Sequence, residues 1–171
     1  MKKSQKSLIA ALGFIAIATS ANAQSTANAT ASATVVTPIA ISRTAHMNFG
    51  NLSVQTATGG TVVLATDGSR TRTSGVTLPA TAGTVSAAAF NVTGNASYTY
   101  AITLPSTVTL TRASGSETMS AGSFTSTPSA TGTLDGSGTQ SIAVGATLTV
   151  AAAQVAGAYV SGNFDVTVNY N

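Results

Sequence analysis

The chain runs to 171 residues with no cysteine and only 6% charged residues, so neither a disulfide framework nor a dense charged surface braces it. Its formal net charge of +3 comes from Lys2, Lys3 and Lys6; beyond them Arg43, Arg70, Arg72 and Arg112 balance Asp67, Glu117, Asp135 and Asp165 to zero. A nucleic-acid or anionic-membrane surface is thereby excluded, and near-neutrality removes a barrier to self-association.

Residues 1–23 read as a secretory signal peptide. The three lysines form a basic start, Leu8 to Ala18 an apolar stretch, and Ala21-Asn22-Ala23 a small-x-small cleavage site ahead of Gln24. The apolar stretch is about half the roughly twenty residues a membrane helix needs, and no later run is longer, so no membrane span is expected once the signal is removed. The product is expected to be exported, through a periplasm to the cell surface or the medium. Cleavage leaves 171 − 23 = 148 residues, enough for one domain.

Residues 24–36 form an N-terminal extension. Ala27, Ala29, Ala31, Ala33 and Val35 alternate with Asn28, Thr30, Ser32 and Thr34, which predicts a strand with a small-residue face. Alanine favours helix on propensity alone, and the strict alternation decides for strand. Pro38 interrupts before Ile39 and Ile41, making this an edge strand or two strands meeting at a kink.

From residue 37 onward the pattern is short strands between turns. Expected strands are 48–54, 61–65, 69–78, 87–93, 97–104, 107–112, 117–124, 140–144 and 146–151. Gly59-Gly60, Asp67-Gly68 and Gly94-Asn95 mark turns, and 151–156 could hold one helical turn. The final stretch is the clearest, with Phe164, Val166, Val168 and Tyr170 on one face and Asp165, Thr167 and Asn169 on the other. The fold class expected is all-β, a sandwich arranged around that last strand.

Catalytic chemistry has little to draw on. His46 is the only histidine, no serine sits in a nucleophile elbow, and one histidine with four scattered acids makes neither a triad nor a zinc site. No enzyme activity, metal or cofactor is expected, and a secreted hydrolase ranks last among the readings. Asp67-Gly68 and Asp135-Gly136 lack the further oxygen ligands of a calcium loop and read as turns. Arg70 and Arg72 share one strand face, either as an anion or glycan contact or as a charged edge that discourages wrong pairing. Tyr98 and Tyr100 read as core or cross-strand partners more than as a sugar platform. Three glycosylation sequons, at Asn28, Asn91 and Asn95, are expected by chance in so Asn- and Thr-rich a chain.

The segments MNFGNLSV, AFNVTGNASYTYAITLP and GATLTVAAAQVAGAYVSGNFDVTVNYN resemble the exported bacterial family called domain of unknown function 4402. The ending also resembles subunits of chaperone–usher pili, including the spore coat U-like branch. Those end in alternating apolar residues with a penultimate tyrosine and a glycine about fourteen residues before the end. Tyr170 and Gly157 (171 − 157 = 14) stand at those places, and Phe164, Val166 and Val168 supply the alternation.

The resemblance implies an immunoglobulin-like β-sandwich completed by donor-strand exchange, with Ala27 to Val35 as donor extension and a periplasmic chaperone, an usher or further copies as partners. The donor's alanines are smaller than such strands usually carry, and the disulfide common in such subunits is absent. The function expected is a structural subunit of a surface filament. The competing reading is a self-complete secreted adhesin or glycan-binding module, with Arg70, Arg72 or the tyrosines as contacts.

Overall fold

The structure is a computed structural model that describes residues 23–171. The signal-peptide reading, Ala21 included, lies outside the described residues. The chain divides into two units, Met1–Thr34 and Val35–Asn171. In the first, residues 23–34 are exposed throughout and contain no strand or helix. The strand expected at Ala27 to Val35 is therefore not formed, and Val35 is 96% exposed. A strand exists by virtue of the ladder it joins, and alternation alone supplies no ladder; alanine adds no preference of its own.

The second unit is an antiparallel β-sandwich of thirteen strands. One layer is an eight-stranded sheet with the order β1 (Ala40–Ala45), β6 (Ala88–Thr93), β11 (Thr139–Val150), β9 (Thr118–Thr127), β8 (Thr107–Arg112), β12 (Tyr159–Ser161). β3 (Gly60–Leu64) and β4 (Arg70–Arg72) extend this sheet from the second half of β11. The facing layer is split. β10 (Thr131–Thr133), β7 (Thr99–Thr103) and β13 (Thr167–Tyr170) form one small sheet, and β2 (Ser53–Val54) with β5 (Val76–Thr77) another.

The organising strand is β11, and the last strand is an edge. This overturns the expectation of a sandwich arranged around the C-terminus. β11 pairs β6 along 139–144, then β3 along 146–150, while β9 lines its other side. Its even residues Ile142, Val144, Ala146, Leu148 and Val150 are all buried, one long face under both small sheets. The two strands expected at 140–144 and 146–151 are one strand that runs through Gly145. Gly145 marks where the neighbour changes from β6 to β3, and a Cβ there would strike the Leu64 carbonyl.

Other boundaries moved for local reasons. The segment expected as one strand over 69–78 is two strands, separated at Gly75, whose φ of +92° ends the extended run. β9 carries a bulge, because two steps on β11 (Gly145 to Thr147) face three on β9 (Thr125 to Gly122), with Ser123 at φ 47°. The bulge turns Phe124 inward, its ring centroid 5.5 Å from that of Phe164. At 151–156 there is a turn and no helix.

Two core clusters result. One gathers Phe90, Val92, Tyr100, Ile102, Leu134, Ile142, Val144, Val166 and Val168 beneath the three-stranded sheet. The other gathers Phe49, Val62, Leu64, Val76, Ala121, Leu148 and Val150 beneath the two-stranded one. Each large side chain so buried contributes roughly 1.5–3 kcal/mol.

Candidate assembly site

The C-terminal residues singled out in the sequence do meet, but on the side of the sandwich and not at its centre. Val166 and Val168 are buried in the first cluster, with Phe164 and Tyr170 packed against it. β13 pairs only with β7, in the register Thr167↔Thr103 to Tyr170↔Tyr100. The Asn171 N–H donates to the Thr99 carbonyl, which places the odd residues of β13 in hydrogen-bonded register with β7. Main-chain N–H and C=O groups alternate in direction along a strand, so those of Val168 and Tyr170 face outward. Among the described residues no strand pairs with that edge.

Across the sandwich from β13 lies β1, which likewise pairs on one side only, with β6. The two edges lie side by side on one flank of the sandwich. Ahead of β13, beside Phe164 and with Arg43 and Ala45 of β1 in its lining, lies a groove of about 900 Å³. Val108, Leu110, Ala121, Phe124 and Leu148 form its floor, and Met47, Phe49 and Phe164 its walls. Its outer rim includes Gln154 to Asn163, the strap that carries the chain from β11 to β13.

That strap is held in place by its own contacts. β12 joins the edge of β8, and the Ala113 N–H donates to the Ala158 carbonyl at 2.9 Å. Gln154 Nε2 donates to the Thr118 carbonyl at 3.2 Å and to Tyr159 Oη at 2.8 Å, and Tyr159 Oη donates to the Val155 carbonyl at 2.7 Å. Gly157 belongs here and not to β13. Its φ of +151° excludes most side chains, and a Cβ would press on the Arg112 side chain at 3.0 Å. Arg112 forms a two-pronged ion pair with Glu117, Nε to Oε2 at 2.6 Å and Nη2 to Oε1 at 3.1 Å. The pair holds the Glu117 carboxyl below its ordinary pKa and raises that of Arg112.

The opposite end of the flank is closed. Tyr170 Oη accepts the Asn95 N–H at 2.6 Å and donates to the Thr37 carbonyl at 2.8 Å, joining the β6–β7 turn to the segment that leads into β1. Its ring meets Tyr98 edge-on, centroids 5.5 Å apart. Gly94 leaves room for that hydroxyl, which a Cβ would overlap. Sequence offsets marked Tyr170 but not this bridge, because Thr37 and Asn95 lie 133 and 75 residues away.

The other candidates take structural places. Arg70 Nη1 donates to the Phe49 and Asn51 carbonyls at 2.5 and 2.9 Å, so this guanidinium supports a groove wall, while Arg72 is exposed on the edge strand β4. Tyr100 is fully buried, its hydroxyl donating to Gln140 Oε1 at 2.7 Å, and burial raises its pKa. His46 is exposed, and its carbonyl accepts from Ser86 Oγ. Asp67 and Asp135 close turns. Asp135 accepts from the N–H and hydroxyl of both Ser137 and Thr139, which lowers its pKa to about 2. The sequon asparagines Asn91 and Asn95 lie in β6 and in the turn after it.

The family model described as Domain of unknown function (DUF4402) matches residues 39–170. The chain belongs to that family. No curated protein and no solved structure matches the chain significantly.

Proposed function

We propose that this member of the DUF4402 family is a non-enzymatic structural subunit of an exported surface filament, assembled when the N-terminal extension of one copy adds as a strand to the next. The observation that carries this reading is the outward main-chain edge of Val168 and Tyr170, on a strand whose side chains complete the core. A free edge near a groove lined in part by apolar side chains is a template for strand addition. Residues 24–34 match it in kind, being exposed, extended in pattern and alternately apolar. Their small side chains suit a flank already lined by Phe124 and Phe164.

The flank also gives the assembly a direction. The root of the extension, Val35–Thr37, lies at the Tyr170 end, whereas the groove opens at the Phe164 end. An incoming extension whose root leaves through the open end places its own domain beyond Phe164. Each copy then gives from one end and receives at the other. This head-to-tail contact builds open chains and not closed pairs.

The test is deletion of residues 24–35 behind an intact signal. Full-length protein should give a ladder of heat-labile, SDS-resistant multimers, and the deletion should abolish it. An unchanged ladder would rule out strand exchange, and a wild type without multimers would rule out the filament.

A further inference from the structure

We infer that Tyr170 is the register stop of the acceptor flank: its side chain closes one end, so that an added strand halts there in a single register. The inference rests on the strand-addition reading above. Two edges bound the flank, and they belong to different sheets, β1 to the large one and β13 to the small one. Tyr170 spans the gap between them at one end only, its hydroxyl bonded to the Thr37 carbonyl on the β1 side and to the Asn95 N–H at the base. At the other end Phe164 and Met47 stand on the walls of an open groove.

A stop is needed here for a physical reason. Register in a sheet is set by the side-chain pattern and by the ends of the strand, and a strand with repetitive small residues specifies it weakly. The extension repeats alanine at 27, 29, 31 and 33. A slip by two residues would exchange one alanine for another at nearly every position, with little change in packing. The extension cannot choose among these registers by shape. A closed end can, because a strand pushed past it must displace a ring packed against Tyr98 and a hydroxyl with two hydrogen bonds. The tip of the incoming extension then lies at Tyr170 and its root leaves past Phe164, antiparallel to β13. Tyr170 is in this sense a positioning residue: it decides where the strand ends without supplying the edge that binds it.

The absence of cysteine makes the test direct. Copies carrying Asn169→Cys, whose side chain is exposed on β13, are mixed during assembly with copies carrying one cysteine at Thr26, Asn28, Thr30 or Ser32. With Tyr170 intact, one of the four should dominate the intercopy disulfides. Tyr170→Phe keeps the ring and loses the hydroxyl with both its hydrogen bonds; the dominant position should lose ground to its neighbours two residues away by at least about fivefold to tenfold, the net weight of one of those bonds. Tyr170→Ala should spread the crosslinks further. The same single register in Tyr170→Phe and in every folded Tyr170→Ala preparation would overturn the stop while leaving strand addition intact. No crosslinks at any position with Tyr170 intact would overturn strand addition itself, and the stop with it.

Discussion

The two halves of β11 carry the same alternation and lie under different roofs. Ile142 and Val144 are sealed beneath β7 and β13, in a cluster closed by Tyr100 and Leu134. Leu148 and Val150 are as deeply buried but form part of the lining of the 900 Å³ groove. One strand thus serves as closed core at one end and as part of a groove lining at the other. Depth of burial alone does not distinguish the two; what stands opposite does.

Truncations along β11 make that contrast measurable. Ile142→Ala leaves a void that a closed cluster cannot fill and should cost about 4 kcal/mol in urea unfolding, toward the upper part of the usual range. Gly145→Val brings a side chain against the Leu64 carbonyl, and overpacking of this kind should cost roughly 3 kcal/mol. Leu148→Ala should cost less than Ile142→Ala, about 2.5 kcal/mol, because the groove lets neighbours or water relax into the space. Equal costs for Ile142→Ala and Leu148→Ala would mean that the groove is as tightly closed as the core.

Smaller effects test the ends of the small sheet. Tyr170→Phe should lower stability by about 0.5–1.5 kcal/mol, with faster hydrogen exchange at the Asn95 amide. Asp135 supplies a pH dependence. Its folded pKa of about 2 lies below the ordinary 3.8, so its contribution is fully present above the ordinary value and fades as pH falls toward 2. Asp135→Asn should flatten the acid limb of the stability curve between those values and leave the neutral-to-alkaline limb parallel to wild type. An unchanged acid limb would show that the turn holds without its carboxylate.

Much of the architecture was legible in the residues. Alternation found the strands, and Asp67-Gly68 and Gly94-Asn95 sit in turns between them, because periodicity and turn chemistry act over a few residues. At 27–35 the single chain forms no strand for the complementary reason: alternation says which face could be buried, and nothing within the chain supplies a neighbour. The run through Gly145 was not legible because the glycine's meaning, a close pass by Leu64, comes from a residue 81 positions earlier (145 − 64). The role of Arg70 was equally hidden, since the Phe49 and Asn51 carbonyls have no sequence signature.

The same division holds at the assembly site. By itself the sequence determined the all-β class, the buried face of β13 and the charge balance, since each follows from residue type and local period. Tertiary structure alone decided that β13 is an edge and β11 the centre, that a groove opens beside Phe164, and that Tyr170 closes the far end. Those are statements about which strands become neighbours, and neighbours here come from anywhere along the chain.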